Sequence, residues 1–231
     1  MSAAMSRLET LAVNSPFRRL FARAEARRFR RMTGLPEGGR LLEMGCGAGL
    51  TTRALVKSFR PSRLAAFDFD KRQVERARRR LARFPEVDVR QADATSLPHA
   101  ADEFDAVVAV GVLHHVPAWR DALGEVARVL RPAGFYCFAE PSRGRLTRGV
   151  YRVFPHAREA MFDPDELLEA MSSAGLEPGQ VERTLLWDVF GASSVFGFTG
   201  EQFDAETGFT FLRARDLDPG PDRFLCRAPA R

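Results

Sequence analysis

The sequence has few cysteines and no long apolar run. Cys46, Cys137 and Cys226 are widely spaced and form no C-x-x-C pair, which argues against a disulfide framework and against a zinc site. No stretch approaches the roughly 18 uninterrupted apolar residues of a membrane-spanning helix, and the N-terminal residues lack the apolar core of a secretion signal. We therefore expect a protein of the reducing cytoplasm, with no transmembrane segment and no bound metal.

Lysine is almost absent, since all but Lys57 and Lys71 of the 35 basic residues are arginine. This bias fits a GC-rich coding sequence better than a special role of the guanidinium group. The net charge of +5 and the pI near 9.7 are common among soluble enzymes and indicate an anionic partner only weakly. A length of 231 residues with 45% apolar residues predicts one enzyme-sized domain with its own core.

From residue 40 onward, short apolar runs alternate with charged amphipathic stretches. Strands are predicted at 40–44, 63–68, 86–91, 104–110 and 134–140, and helices at about 50–59, 70–83 and 118–131. Such alternation favours parallel strands joined by right-handed crossovers, and hence an α/β fold with a doubly wound, mostly parallel sheet and helices on both faces. Ligands of such sheets bind at the carboxyl ends of the strands.

A basic helix is predicted over residues 16–32, ahead of this core. Its apolar residues fall on one helical stripe, which comprises Phe17, Leu20, Phe21, Ala24 and Met32. The helix could act as a lid or packing helix with a solvated arginine face, or it could contact a membrane surface or a nucleic acid. The packing interpretation is favoured, and peripheral membrane contact through this helix stays open.

The pattern loosens after Pro141 but still predicts three further elements. A helix begins at Asp163, which can cap it, and ends near Gly175. Strands are predicted at 181–190 and, as a short final strand, from Asp222 onward. The placement of the intervening residues stays open.

Glycines at 45, 47 and 49 follow the apolar run that begins at Leu41, which is a nucleotide-loop signature. The glycines let the chain turn sharply and bring its backbone against a ligand. The helix that follows presents free N–H groups to the same ligand. Because Leu50 stands where the dinucleotide fingerprint requires its third glycine, the spacing disfavours NAD.

Acidic residues follow the next two predicted strands. Asp68 ends the second strand, where its carboxylate can accept both hydroxyls of a ribose, while Asp70 is better placed to cap the next helix. Asp93 follows the third strand and can accept a hydrogen bond from an adenine amine, which leaves the Ala94 N–H for a ring nitrogen.

In this order the motifs resemble the class I S-adenosylmethionine-dependent methyltransferases, and most of all the type 11 branch, which contains ubiquinone, menaquinone and small-molecule methyltransferases. The resemblance spans about residues 38–141 and rests on Glu43, Gly45, Gly47, Gly49, Asp68, Asp93, Ala94, the run Asp105 to Val116 and the run Leu123 to Gly134. It implies a seven-stranded Rossmann-like sheet and S-adenosylmethionine as cofactor. From the pattern along the chain we expect an N-terminal helical lid over 1–36 and a methyltransferase domain over 37–231, with a cofactor-binding core at 38–141 and substrate-side cap elements at 142–221.

The resemblance also assigns parts of the cofactor to individual residues. Gly45 and Gly47 would line its methionyl part, and Glu43 would help orient its amino group. Asp68 would hold the ribose, and Gly111, at the end of the fourth strand, would approach the methionyl group through its backbone. The full expected set of cofactor-binding residues is Glu43, Gly45, Cys46, Gly47, Gly49, Asp68, Phe69, Asp93, Ala94 and Gly111. Within this set, Cys46 is interpreted as a loop residue and not as a nucleophile.

His114 and His115 are the candidate catalytic residues. The sulfonium of the cofactor already activates its methyl group, so that catalysis is chiefly the positioning of the acceptor, with deprotonation where the acceptor needs it. An imidazole at the end of the fourth strand could take that proton. The alternative is that the pair packs at the strand end with at most one ring facing the site. His99 and His156 are weaker candidates.

The methyl acceptor is expected to be a partly apolar small molecule, with oxygen, nitrogen and carbon atoms all open. An Asn-Pro-Pro-Tyr type signature would indicate amino methylation of DNA or protein, but Gly111 and its successors read Gly-Val-Leu-His instead. Cys137 lies inside the predicted fifth strand, which disfavours a covalent cysteine mechanism on RNA. A nucleic-acid methyltransferase, supported by charge, and a non-catalytic S-adenosylmethionine-binding protein remain the alternatives.

The last part of the chain offers two groups of residues for the acceptor. An aromatic group could form an apolar pocket or pack in the core, and it comprises Trp187, Phe190, Phe196, Phe198, Phe203, Phe209 and Phe211. An arginine group could meet an anionic part of the substrate or lie in solvent, and it comprises Arg143, Arg145, Arg148, Arg152 and Arg158.

Overall fold

The computed structural model describes residues 16–140, 162–182, 202–204, 209–211 and 223–227. The helices are α1 (Pro16–Thr33), α2 (Leu50–Phe59), α3 (Lys71–Leu81), α4 (Trp119–Val129) and α5 (Pro164–Ser173), with a short 3-10 helix at Leu113–His115. The strands are β1 (Arg40–Met44), β2 (Arg63–Asp68), β3 (Val87–Gln91), β4 (Phe104–Val110), β5 (Leu130–Ala139), β6 (Glu177–Glu182), β7 (Gln202–Asp204), β8 (Phe209–Phe211) and β9 (Arg223–Arg227).

The central sheet has the strand order β3-β2-β1-β4-β5-β9-β6. Strands β1 to β5 are all parallel to their neighbours, whereas β9 is antiparallel to both β5 and β6. The order reverses beside β1, so that the chain crosses over in both directions from the middle of the sheet. The α/β, doubly wound, mostly parallel fold expected from the alternating pattern is confirmed. Strands β7 and β8 pair separately as a two-stranded sheet.

Two strand predictions were wrong in their bounds. Strand β5 begins at Leu130 and not at residue 134, because the ladder shifts register between Phe104 and Ala106 and so accommodates the extra residues. Strand β6 begins at Glu177 and not at 181, although it contains Pro178. Proline is tolerated there because β6 is an edge strand of the sheet.

Apolar side chains cover both faces of the sheet, as alternation along a buried strand requires. In β1, Leu42 belongs to the cluster that packs under α4 and α5, whereas Leu41 belongs to the cluster under α1, α2 and α3. Both side chains are fully buried. The helices therefore fall into two layers, and the glycine loop and its helix α2 lie in the same layer as α1.

The predicted apolar stripe of α1 was wrong at Leu20, Phe21 and Ala24, which are exposed, whereas Met32 packs against the apolar cluster and the side chain of Phe17 lies outside the described part of the structure. Leu20 is 68% exposed and Phe21 43% exposed, whereas Ala22, Ala26 and Phe29 are fully buried. These three buried residues are four and three positions apart and form the face that packs in the same apolar cluster as α2. Small alanines let the two helices approach closely, and that contact selects the buried face. The boundary of a separate lid at residue 36 stays a prediction.

Candidate functional site

The loop after β1 has the backbone conformation that its glycines predict. Gly45, Gly47 and Gly49 have φ angles of +62°, +51° and +79°, which side chains other than glycine rarely adopt. A Cβ at Gly45 would lie 2.5 Å from Val112 Cγ2, whereas a Cβ at Gly47 would meet nothing within 4 Å. The loop is thus closed on the Val112 side and open around Gly47, where a ligand can approach the backbone.

Cys46 lies in this loop as a buried residue, 4% exposed. Its N–H donates to the Phe67 carbonyl at 2.9 Å, and its thiol lies 3.6 Å from the Gly47 carbonyl oxygen. Burial and then the charges of Glu43 and Asp68 raise the pKa of the Cys46 thiol well above its ordinary value. The thiol therefore stays protonated at neutral pH, which fits a loop residue and not a nucleophile.

Glu43 is a carboxyl group buried next to the glycine loop. It is 2% exposed, and its Oε2 has no hydrogen-bond partner among the residues that the structure describes. Burial raises its pKa to about 8, and the nearby Thr52 hydroxyl and Arg18 charge offset this only in part. A buried carboxyl oxygen that accepts no hydrogen bond from the described residues can bind a cation at the end of β1.

Asp68 fastens the glycine loop to the end of β2. Its Oδ2 accepts the Gly47 N–H at 2.8 Å, and its Oδ1 accepts the Asp70 N–H at 2.9 Å. Burial raises the pKa of Asp68, and these two N–H groups offset part of that shift. Each carboxylate oxygen keeps a second lone pair, so that the group can still accept a hydroxyl. Asp70 caps α3 as predicted, because its side chain accepts the Arg72 N–H at 2.8 Å.

The ends of β2 and β3 present an exposed ring and an exposed carboxylate. Phe69 is 45% exposed and directly follows β2. Asp93 follows β3, and its Oδ1 accepts both the N–H and the hydroxyl of Thr95, at 2.9 and 2.8 Å. Ala94 is buried, 7% exposed. A flat apolar ring and a hydrogen-bond acceptor on neighbouring strand ends suit a heteroaromatic base.

Beyond β4, the chain turns at Gly111, whose φ is +66° and whose N–H donates to the Ala139 carbonyl at 2.8 Å. The turn is held by Glu140, which the sequence analysis missed. Its Oε1 accepts the N–H groups of Val112 and Leu113 at 2.7 and 2.9 Å, and its Oε2 lies 2.7 Å from His114 Nδ1. An acid directly after a parallel strand was the available signal, as for Asp68.

The two neighbouring histidines differ in burial, since the His114 ring is buried and the His115 ring is half-buried. His114 is 5% exposed and contacts Glu140, whereas His115 is half-buried, with its ring centroid 4.0 Å from that of His114. Burial raises the pKa of Glu140 to about 7, and the Val112 and Leu113 N–H groups and the His115 charge offset part of the shift. Of the two, His115 is the ring with more access to solvent.

Several other predicted candidates lie elsewhere or outside the described residues. His99 contacts Glu103 at 3.3 Å and the ring of Phe104, at the amino end of β4, and is thus remote from the strand ends that form the site. His156 and the arginine group at 143–158 lie outside the described residues. The same holds for the side chains of the aromatic group at 187–211.

The described residues hold neither a cluster of metal ligands nor a membrane-spanning helix. They contain no group of three or more His, Cys, Asp or Glu residues that could hold a metal ion. They also contain no helix that is long and apolar enough to cross a membrane.

The arrangement along this edge fits S-adenosylmethionine. The buried Glu43 Oε2, which has no hydrogen-bond partner in the described part of the chain, matches an ammonium group, and the open backbone at Gly47 leaves room for the methionyl chain that carries this group. Asp68 offers lone pairs to a ribose, and Phe69 offers an exposed face to an adenine. Gly111 turns the chain at the end of the neighbouring strand β4, and the next residue, Val112, lies against Gly45 of the glycine loop.

Comparisons with known proteins match the core of the chain to methyltransferases. The family described as a methyltransferase domain matches residues 42–138. A Mycolicibacterium smegmatis protein named "Probable S-adenosylmethionine-dependent methyltransferase" is 32% identical over 192 residues, which are 81% of this chain and 67% of that protein. The fatty-acid O-methyltransferase of the same organism is 38% identical over 104 residues, which are 45% of this chain and 38% of that protein.

Solved structures share the fold over nearly the whole chain. The crystal structure of a SAM-dependent methyltransferase from Aquifex aeolicus superposes with a TM-score of 0.67 at 17% identity, and the match covers 97% of this chain and 98% of that one. By contrast, the chain spans only 38% of the length of the fatty-acid O-methyltransferase.

Proposed function

Because the chain belongs to the class I S-adenosylmethionine-dependent methyltransferases of the type 11 branch, we propose that it methylates an oxygen, nitrogen or carbon atom of a partly apolar small molecule. The enzyme class and the cofactor follow from the family. The observation that best supports the site is the unpartnered, buried Glu43 oxygen beside the open glycine loop. The similarity of the core to a fatty-acid O-methyltransferase supports an apolar acceptor.

The residues of the glycine loop and of the strand ends would each bind a different part of the cofactor. Glu43 would accept the ammonium group, and the backbone of Gly45 and Gly47 would line the methionyl chain. Asp68 would accept the ribose hydroxyls with the lone pairs that Gly47 and Asp70 leave unused. Phe69, Asp93 and Ala94 would contact the adenine. When bound, S-adenosylmethionine supplies a methyl group that its sulfonium has already activated.

The turn after β4 would complete the site on the acceptor side. Glu140 holds the N–H groups of Val112 and Leu113, so that the backbone near Gly111 is fixed before any ligand binds. His115 would take the proton from an acceptor that must lose one, because it is the less buried ring of the pair. His114 would position this turn through Glu140.

Transfer of a labelled methyl group tests the proposal directly. The chain is incubated with methyl-labelled S-adenosylmethionine and, separately, with a fatty acid, a quinol, a phenol, an amine and a generic RNA. We expect label in at least one apolar acceptor and none in RNA. Label in RNA alone would favour a nucleic-acid methyltransferase, and binding without transfer to any acceptor would favour a non-catalytic binding protein.

Asp68→Ala tests the assigned cofactor site. We expect S-adenosylmethionine affinity to fall at least tenfold by calorimetry, because the variant loses the ribose acceptor and releases the Gly47 N–H. Asp88→Ala is the matched control, since it removes a partly exposed carboxylate of β3 that pairs with Arg63 and Arg90. Unchanged affinity in a folded Asp68→Ala protein would show that the ribose contact lies elsewhere.

A further inference from the structure

Arginines from three helices converge on the surface beside the glycine loop. Helix α1 reaches this loop region through Arg18, whose guanidinium donates to the Thr51 hydroxyl at 3.4 Å. Helix α3 reaches it through Arg80, which donates to the Ala48 carbonyl. The surface, called the arginine cluster below, comprises Arg19 and Arg23 of α1, Arg53 of α2, Arg76 and Arg80 of α3, and Arg83 in the turn that follows α3.

The cluster residues lie close enough to act on one another. Burial and then the charges of Arg83, Arg23 and Arg19 lower the pKa of Arg53. Burial and then the charges of Arg19, Arg53 and Arg76 likewise lower the pKa of Arg80. Within the described part of the chain, no member of the cluster forms an ion pair with an acid. The cluster is thus a surface of mutually repelling cations, which an external polyanion would stabilise.

Helix α1 also exposes two apolar side chains. Leu20 is 68% exposed and Phe21 is 43% exposed, and in the sequence both lie between Arg19 and Arg23, which are exposed too. Leu20 precedes Arg23 by three positions and so neighbours it on the helix surface. Leu20 and Phe21 are two of the three described large apolar side chains that are exposed, the third being Phe69 of the proposed cofactor site. Helices that bind at a membrane surface combine basic residues, which attract anionic lipids, with apolar residues, which enter the acyl boundary.

We propose that the arginine cluster, together with Leu20 and Phe21, docks this protein on the anionic surface of a lipid bilayer. The guanidinium groups of three helices would bind the phosphates of the lipid headgroups. The exposed Leu20 would enter the acyl-chain region below them. A nucleic acid would use the same charges, and Phe21 could stack on a base, but it would leave Leu20 in water. The combination of cations with an exposed aliphatic side chain therefore favours the bilayer.

Co-sedimentation with vesicles tests this proposal. The full chain is mixed with phosphatidylcholine vesicles that contain or lack phosphatidylglycerol, with no cofactor present. We expect binding only when the anionic lipid is present, and weaker binding as ionic strength rises. Each basic residue near an anionic membrane contributes about fivefold to the binding constant. Arg19→Gln/Arg23→Gln should therefore bind about 25-fold more weakly.

The matched control is Arg60→Gln/Arg120→Gln, which removes the same charge from two exposed arginines outside the cluster. We expect this control to bind the vesicles as the unmodified chain does. Leu20→Ser/Phe21→Ser should also weaken vesicle binding, although the charge is unchanged. Equal losses in the cluster variant and in the control would show nonspecific charge attraction and overturn the proposal.

Two further measurements separate this surface from its alternatives. Salt-dependent binding of a generic RNA that needs Arg19 and Arg23, without vesicle binding, would identify a nucleic-acid surface and overturn the proposal. Calorimetry should give the same S-adenosylmethionine affinity for the cluster variant and the unmodified chain. A loss of that affinity with unchanged vesicle binding would assign the cluster to the cofactor site and would also overturn the proposal, while leaving the proposed enzymatic function intact.

Discussion

At the scale of single residues, the candidate site contains two carboxyl groups at strand ends, Glu43 and Asp68, which differ in their contacts. Burial raises the pKa of Glu43 to about 8, and within the described part of the chain its Oε2 accepts no hydrogen bond. Asp68 accepts two N–H groups and fastens the loop. Glu43 is therefore the group that we propose for the ammonium of the cofactor. Asp68 holds the glycine loop and has lone pairs left to accept a hydroxyl.

Because we propose that Glu43 accepts the ammonium group of the cofactor, we expect cofactor binding to depend on the protonation of Glu43. Because its pKa is about 8 in the free protein and an ammonium partner lowers it, binding of S-adenosylmethionine should release a proton. The affinity should then rise as the pH is raised from 6 to 8. Calorimetry in two buffers of different ionisation enthalpy measures the released proton.

Glu43→Gln is the matching variant, since it keeps the shape of the side chain and cannot ionise. We expect weaker S-adenosylmethionine binding, a flat pH dependence of the affinity and no proton release. Proton release that persists in this variant would mean that another group binds the ammonium.

At the scale of elements, the turn after β4 is the part that residue patterns described least well. A 3-10 helix at Leu113–His115 follows β4 and is fastened to the end of β5 by Glu140. The two parallel strands are adjacent, so that their carboxyl ends bring an acid and a histidine together that are 26 positions apart. The element is fixed by this contact and not by its local sequence.

The two histidines of this turn should respond differently to removal. His114→Ala should lower the free energy of unfolding by about 1–3 kcal/mol, because it leaves a buried Glu140 oxygen without its partner. His115→Ala should have a smaller effect on stability and should lower kcat for a hydroxyl acceptor, with S-adenosylmethionine affinity unchanged. Urea unfolding and the pH profile of kcat measure the two effects.

Two outcomes of these measurements would contradict the roles given to His114 and His115. Full turnover in His115→Ala with every acceptor would leave positioning as the whole contribution of the protein. An unchanged stability of His114→Ala would show that the turn does not depend on its contact with Glu140.

At the scale of the whole molecule, the two apolar layers bury acids on the sheet as well as hydrophobic side chains. Glu43 and Glu140 are both 2% exposed, and burial raises their pKa values to about 8 and about 7. A raised pKa means that the folded chain holds a proton that the unfolded chain has already lost. The stability of the fold must then fall as the pH rises through these values.

Unfolding experiments should show this trend between pH 6.5 and 8. Each of the two acids contributes stability that is complete below its unfolded pKa near 4.5 and is lost as the pH approaches 7 or 8, by at most about 1.4 kcal/mol per pH unit. Below pH 6.5, His99 acts in the opposite direction, because burial lowers its pKa. Urea denaturation at several pH values measures the slope.

Glu43→Gln should make this slope shallower, because one of the two acids no longer titrates. The same variant flattens the affinity profile, which has the opposite sign. A free energy of unfolding that rises from pH 6.5 to 8 would contradict the raised pKa values of these two acids in the folded chain.

The sequence by itself determined the local elements and the identity of the cofactor. The bounds of β1, β2, β4 and α2 agree with those read from the pattern, because glycines, charges and short apolar runs act over a few residues. The order of motifs at successive strand ends was also enough to indicate S-adenosylmethionine, since parallel strands collect their carboxyl ends at one edge.

Only the tertiary structure decided which faces are buried and which distant groups meet. The stripe of α1 was predicted on Leu20 and Phe21, yet the contact with α2 buries Ala22, Ala26 and Phe29 instead. Likewise, the pairing of His114 with Glu140 follows from the adjacency of β4 and β5. The physical reason is the same in both cases: periodicity offers several faces and partners, and the free energy of packing against another element selects among them.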